Sequence, residues 1–425
     1  MDRFRVFGEQ SVDGVVPISG AKNAALPLLA ASILSEDGLK LSNVPPLSDV
    51  QTMLDLLEKI GVEHEISDKE DYGFSVELKT DSVTSYTAPY DIVKKMRASI
   101  LVLGPLLSRF GCCRVSLPGG CAIGVRPIDL HLKGLKALGA DIELSDGYVN
   151  AKAMNGLTGA EFEFPIVSVT GTENLLMAAV LANGITILKN AAREPEVVDL
   201  ADCLNKMGAK ITGQGSSNIV IEGVPALHYA EHRTLPDRIE AGTYAIAAAI
   251  TKGKVDLVGG DFRNLLTSFI KKMEDTGVKF EDIENGLRVT APGELNATNI
   301  VTSPFPGYPT DLQAQMMSLL CLAQGESIVE ETIWENRFMH VPELCRMGAN
   351  IRVAGSKAFI SGVPSLVGAP VMATDLRASF SLVLAGLAAR GDTIVDRIYH
   401  LDRGYCKVEK KLAACGVTVE RIGAG

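Results

Sequence analysis

Leu135-Lys136-Ala137-Leu138-Gly139-Ala140-Asp141-Ile142-Glu143-Leu144 reads as the end of a helix, a glycine that stops it, and the start of a strand. Glycine is the usual stop because it enters the left-handed conformation without the penalty of a Cβ. The same marker occurs five more times: Leu57-Glu58-Lys59-Ile60-Gly61-Val62, Leu204-Asn205-Lys206-Met207-Gly208-Ala209, Met273-Glu274-Asp275-Thr276-Gly277-Val278, Leu344-Cys345-Arg346-Met347-Gly348-Ala349 and Leu412-Ala413-Ala414-Cys415-Gly416-Val417. Successive marker glycines are 78, 69, 69, 71 and 68 residues apart, a spacing that identifies an internal repeat.

Upstream of each marker an apolar segment stops before another glycine. These segments are 24–34, 92–107, 174–182, 241–250, 312–323 and 379–389, and they precede Gly38, Gly111, Gly184, Gly253, Gly325 and Gly391. They are apolar on nearly every side, which predicts buried helices and not amphipathic surface ones. Each unit then reads helix, strand, helix, strand, strand in about 70 residues. A unit of that size cannot bury such a helix alone, so several units must enclose their helices jointly. Six units give three per domain, sheets outside and helices inside. We expect one domain over 22–235 and a second over 1–21 with 236–425, the hinge falling within 229–236. The first strand, 4–7, is expected to close the last unit by pairing near the C-terminus.

The 425 residues suit two domains. Hydrophobic residues make up 47% of the chain and mean hydropathy is +0.18, which marks a globular protein. A net charge of −10 argues against nucleic acid or an anionic membrane as partner. The longest apolar runs, 98–107 and 379–389, fall short of the roughly 18 residues of a membrane span. Met1-Asp2-Arg3-Phe4-Arg5 lacks the apolar core of a signal peptide. Cysteines at 112, 113, 121, 203, 321, 345, 406 and 415 show no CxxC or Cys/His ligand spacing, so reduced thiols, a cytoplasmic location and no zinc site are expected.

Chemistry collects in front of the apolar helices, where unpaired backbone N–H groups and the helix dipole favour anions. Capping accounts for polar residues such as Ser19, Thr310 and Thr374, but it does not account for cations there, since Lys and Arg oppose the dipole. Lys22, Arg97, Arg126, Arg337, Arg377 and Arg403 form a candidate basic cluster suited to phosphate groups. The loop Pro118-Gly119-Gly120-Cys121-Ala122-Ile123-Gly124-Val125-Arg126-Pro127-Ile128-Asp129 is not built to fill a core. Its Cys121 is either a small buried hydrophobe or a reactive thiol, and no apolar stripe explains it as the former. No Walker loop, GxGxxG, HExxH or GxSxG motif is present.

Several long motifs carry a family resemblance: Ser19-Gly20-Ala21-Lys22-Asn23, Pro118-Gly119-Gly120-Cys121, Asn190-Ala191-Ala192-Arg193-Glu194-Pro195, Leu235-Pro236-Asp237-Arg238-Ile239-Glu240, Tyr308-Pro309-Thr310-Asp311, Glu335-Asn336-Arg337-Phe338-Met339-His340, Ala373-Thr374-Asp375-Leu376-Arg377 and Asp402-Arg403-Gly404-Tyr405. In these the sequence resembles the UDP-N-acetylglucosamine 1-carboxyvinyltransferases, enolpyruvyl transferases of bacterial peptidoglycan synthesis, over essentially its full length. The resemblance implies an α/β fold of two inside-out domains, each of three βαβαββ repeats with buried helices, as in EPSP synthase. It implies transfer of the enolpyruvyl group of phosphoenolpyruvate to the 3-hydroxyl of UDP-N-acetylglucosamine, with release of phosphate and no metal or organic cofactor.

By the same resemblance Cys121 protonates C3 of phosphoenolpyruvate and is the thiol alkylated by fosfomycin, and Asp311 takes the proton of the sugar hydroxyl. Lys22, Arg126 and Arg403 surround the phosphate and carboxylate of phosphoenolpyruvate. Asn23, Arg97, Arg126, Pro127, Ile128, Asp129, Leu130, Ile166, Val167, Ser168, Val169, Asp311 and Ile333 match the sugar-nucleotide site, with Arg337, Asp375 and Arg377 as a charged layer behind it. Some relatives have lysine where this chain has Ile166, so only backbone contacts are expected from that stretch. Two other readings stand beside this one, an enolpyruvyl transferase acting on shikimate 3-phosphate and a non-catalytic sugar-nucleotide-binding paralogue. The loop cysteine counts against the first, and Lys22, Cys121, Asp311 and Arg403 together count against the second.

Overall fold

A computed structural model describes residues 2–117 and 128–423. All six marker glycines have φ between 75° and 106°, the left-handed region where a Cβ would be strained. They end the amphipathic helices Ser48–Ile60, Asp129–Ala137, Pro195–Lys206, Thr267–Asp275, Val341–Arg346 and Val408–Ala414. Ser48–Ile60 shows the pattern: Val50, Met53, Leu54 and Leu57 are buried, whereas Gln51, Asp55, Glu58 and Lys59 face solvent.

The apolar segments form a second set of helices: α1 (Lys22–Ala31), α2 (Leu103–Phe110), α3 (Val169–Ala179), α4 (Arg238–Ile250), α5 (Gln313–Leu320) and α6 (Leu376–Ala388). Every residue of α4 and of α5 is buried. Around them lie six four-stranded sheets, all built to one plan. In one, Thr87–Ala88 runs parallel to Cys112–Ser116, which pairs antiparallel with Tyr148–Lys152, which pairs antiparallel with Asp141–Ser145. In chain order this is strand, buried helix, strand, amphipathic helix, strand, strand, the expected βαβαββ repeat.

Three sheets are completed by strands distant in sequence. Arg3–Val6 inserts between Thr393–Asp396 and Val419–Ile422, so the first strand closes the last repeat as expected. Glu231–Arg233 pairs parallel with Leu39–Val44, and Asp13–Pro17 with Lys254–Val258. The described residues form two compact units: an N-terminal unit of 20–117 and 128–235 that holds α1–α3, and a C-terminal unit of residues up to Ser19 and from Pro236 onward that holds α4–α6. In the C-terminal unit, α4, α5 and α6 pack on one another, and the inward faces of its strands complete the core.

One expectation needs correction. The segment 92–107 is not one helix: it divides into Tyr90–Val93, a 3-10 stretch Arg97–Val102 and then α2. The chain breaks at Met96, whose backbone is extended at φ −145° and ψ 115°, while Pro105, with no N–H to bond back to the carbonyl four residues earlier, lies within α2. In the fourth repeat the left-handed residue before the strand is Lys252, at φ 56°, and not Gly253. Among the described residues no helix is long and apolar enough to cross a membrane.

Candidate active site

In the C-terminal unit the conspicuous polar centre is Asp311, which lies in the 3-10 turn Thr310–Leu312 at the entrance to α5. Arg337 donates from Nη2 to Asp311 Oδ1 at 2.9 Å. Arg377 donates from Nε and Nη2 to Oδ2 at 3.1 and 2.9 Å. Both arginines are buried, at 4% and 3% exposure, while the Asp311 side chain keeps 26%. A carboxylate gripped by two guanidinium groups through charge-assisted bonds is fixed in orientation.

Arg377 is the second residue of α6, where the helix dipole disfavours a cation. Asp375 offsets this as the N-cap, its Oδ1 accepting the N–H groups of Arg377 and Ala378 at 2.9 and 3.1 Å. Burial alone would lower the Arg377 pKa, but Asp311, Tyr405 and Asp237 outweigh it and hold the guanidinium above its ordinary value. Gln315 Nε2 donates to the Asp311 carbonyl at 2.9 Å and to the Tyr405 hydroxyl at 3.0 Å. His340 is fully buried, and its pKa is pushed down to about 4 by burial and by Arg337, so it packs here as a neutral ring. Arg403 closes the 3-10 stretch Ile398–Arg403 and is half-buried, as are Ile333 and Asp375.

In the N-terminal unit Lys22 is the first residue of α1, 9% exposed, with Nζ 3.3 Å from Asp49 Oδ2. Asp49 is 4% exposed and supplies the counter-charge that the dipole does not. Asn23 follows on the exposed side of α1, and Arg97 opens its 3-10 stretch half-buried. Ile128 and Leu130 are buried and Asp129 starts the helix Asp129–Ala137. Ser168 caps α3, its Oγ accepting from Gly171 N at 3.2 Å, and Val169 is the first residue of that helix. Val167 is half-buried, whereas Ile166 is 68% exposed. Cys121, Arg126 and Pro127 lie outside the described residues.

The expected caps are partly wrong. Ser19 does not cap α1: its hydroxyl accepts from Lys411 Nζ at 2.9 Å, and Lys411 also donates to Glu240 Oε1 at 2.7 Å. Thr310 donates its hydroxyl to Glu331, and Thr374 to its neighbour Asp375. Asp49, Glu331 and His131, the buried partner of Asn174, were not singled out from the sequence. Asp49 reads there as an ordinary acid in a first helical turn, and Glu331 is the second of two adjacent glutamates at the end of a strand.

The fold resembles solved enolpyruvyl transferases. The enolpyruvyl transferase NikO from Streptomyces tendae superposes with a TM-score of 0.89 at 23% identity, covering 100% of this chain and 99% of that one. EPSP synthase from Acinetobacter baumannii gives a TM-score of 0.76 at 16% identity over 100% of both chains. The family model of EPSP synthase (3-phosphoshikimate 1-carboxyvinyltransferase) matches residues 6–412. The protein is an enolpyruvyl transferase of this inside-out α/β fold. Proteins named UDP-N-acetylglucosamine 1-carboxyvinyltransferase from Dinoroseobacter shibae and Acidiphilium cryptum are each 58% identical to it, across 99% of this chain and 99% and 100% of theirs. The chain belongs to the family of UDP-N-acetylglucosamine 1-carboxyvinyltransferases.

Proposed function

We propose that the protein transfers the enolpyruvyl group of phosphoenolpyruvate to the 3-hydroxyl of UDP-N-acetylglucosamine and releases phosphate, as a cytoplasmic enzyme of peptidoglycan synthesis and a target of fosfomycin. The observation that carries the reading is Asp311, a partly exposed carboxylate held between Arg337 and Arg377 at the entrance to a buried helix, in a chain 58% identical to relatives bearing that name.

In this reading Asp311 takes the proton of the sugar 3-hydroxyl as its oxygen bonds to C2 of phosphoenolpyruvate, while the Cys121 thiol gives a proton to C3. The tetrahedral intermediate then loses a proton from C3, the C–O bond to phosphate breaks, and the enol ether remains. Lys22, Arg126 and Arg403 carry the negative charge of the phosphate and carboxylate. Preorganised cations of this kind stabilise charge as it develops. Asn23, Arg97, Pro127, Ile128, Asp129, Leu130 and Ile333 bind the sugar nucleotide together with the stretch Ile166 to Val169, in which Val167, Ser168 and Val169 contribute backbone contacts. Arg337, Asp375 and Arg377 hold Asp311 in place. Two domains, 22–235 and 1–21 with 236–425, divide these roles.

The test is Asp311→Asn beside Cys121→Ser. Loss of a proton-transfer group costs on the order of 10²–10⁴ in turnover. Both variants should lose that much phosphate release yet still bind UDP-N-acetylglucosamine. Turnover within about threefold of wild type in either one would remove that residue from the mechanism.

A further inference from the structure

Glu331 follows the strand Glu326–Glu330, is 3% exposed, and accepts four hydrogen bonds. Its Oε1 takes the Thr302 hydroxyl at 3.0 Å and the backbone N–H groups of Ile333 and Trp334 at 2.8 and 3.1 Å. Its Oε2 takes the Thr310 hydroxyl at 2.8 Å. Three of the four donors converge on Oε1 and one on Oε2, so both oxygens of this carboxylate are held. Thr332 adds a second brace, with its N–H on Thr302 Oγ1 at 2.9 Å and its hydroxyl on the Thr302 carbonyl at 2.6 Å.

The placement of these bonds is what matters. Thr310 precedes Asp311 in the 3-10 turn that carries the carboxylate, and Ile333 is a residue of the sugar-nucleotide site in the reading above. Glu331 therefore ties the turn that holds the base to the turn that meets the sugar nucleotide, through one rigid, buried side chain. The arginines fix the Asp311 carboxylate from its far end, but only Thr310–Glu331 ties the start of its turn to the 331–334 segment among the bonds described.

We infer that Glu331 is a positioning residue of the transferase reaction: it sets the Asp311 backbone and the Ile333 turn to one another so that the acceptor hydroxyl arrives at the base. The inference rests on the functional reading above. An acceptor-side brace has a signature that general fold support lacks, since it alters the KM of one substrate and leaves the other alone.

Glu331→Ala, Glu331→Gln and Thr310→Val are compared with wild type by phosphate release, each substrate being varied in turn. Glu331→Ala should raise the KM for UDP-N-acetylglucosamine about tenfold and lower kcat by roughly 10–100-fold, the cost of a misplaced reacting group. The KM for phosphoenolpyruvate should stay within about twofold, and Glu331→Gln, which keeps an acceptor oxygen, should restore most of the lost acceptor affinity. Thr310→Val breaks only the Oε2 bond, so it should lower kcat about threefold to tenfold by itself and add nothing in the Glu331→Ala background. If Glu331→Ala does not fold, the Thr310→Val result alone decides. An inactive wild type overturns both this inference and the functional reading. An active wild type whose variants change neither kcat nor acceptor KM, change both KM values alike, or behave additively overturns this inference only.

Discussion

Replacing His131 with asparagine should abolish about 2 kcal/mol of pH-dependent stability between pH 7 and pH 5. His131 is 3% exposed on the helix Asp129–Ala137. Its Nδ1 lies 3.0 Å from Asn174 Nδ2, and its Nε2 3.3 Å from Thr170 Oγ1. The Asn174 amide cannot turn round, because its Oδ1 accepts from Gly104 N at 2.6 Å and its Nδ2 donates to Ile100 O at 2.9 Å. Nδ1 must therefore accept, Nε2 carries the hydrogen, and a second ring proton would point at an N–H donor.

Burial, with Arg97 nearby, pushes the His131 pKa from 6.5 down to about 4. Between those values the unfolded chain binds a proton that the folded chain refuses. The stability is then complete above about pH 6.5 and drains away as pH falls toward 4, at about 1.4 kcal/mol per unit. A drop from pH 7 to pH 5 crosses about one and a half units of that window, hence about 2 kcal/mol. The assay is urea unfolding followed by circular dichroism at pH 5, 6 and 7. The gap in unfolding free energy between wild type and His131→Asn should narrow by about 2 kcal/mol at the acid end. A gap that stays constant, or a His131 ring resonance that titrates near the ordinary histidine value, would refute the reasoning.

Further outcomes follow from other parts of the molecule. Burial pushes the thiols of Cys113 and Cys321 up to about 12 and that of Cys415 up to about 11, and raises Cys203 as well. Fosfomycin should therefore modify Cys121 alone by peptide mass spectrometry, and label on Cys112 or Cys345 would contradict the assignment. Lys411→Met strands the buried carboxylate of Glu240, which also accepts from Ser19 N at 2.8 Å. It should cost about 3–5 kcal/mol in denaturant unfolding, much of it regained when Glu240→Gln is added. A Cβ at Gly139 would meet nothing within 4 Å, yet φ is +90°. Gly139→Ala should thus lose about 1–2 kcal/mol through backbone strain alone, and an unchanged melting temperature would count against that account.

The repeat was legible because one physical requirement, a left-handed residue after an amphipathic helix, recurs at every marker and glycine meets it each time. The buried helices are less uniform, since after α4 a lysine, Lys252, takes the left-handed position and the adjacent Gly253 does not. The broken second helix was hidden because the break falls at Met96, an apolar residue whose type does not signal an extended backbone. At the site, Arg337 and Arg377 lie 26 and 66 residues from Asp311 in sequence, so no local pattern joins them: the residues offered the two arginines only as members of a basic cluster, and the family motifs tied them to Asp311. Glu331 and Asp49 were invisible for a related reason. A buried carboxylate looks like a surface acid until its donors are seen, backbone N–H groups and threonine hydroxyls for Glu331 and Lys22 for Asp49.

The most direct measurement is phosphate release from phosphoenolpyruvate with each candidate acceptor, together with the mass of the organic product. We predict release with UDP-N-acetylglucosamine and a product carrying one added enolpyruvyl group, but no release with shikimate 3-phosphate. Release with shikimate 3-phosphate alone, or none from folded protein with either acceptor, would contradict the account.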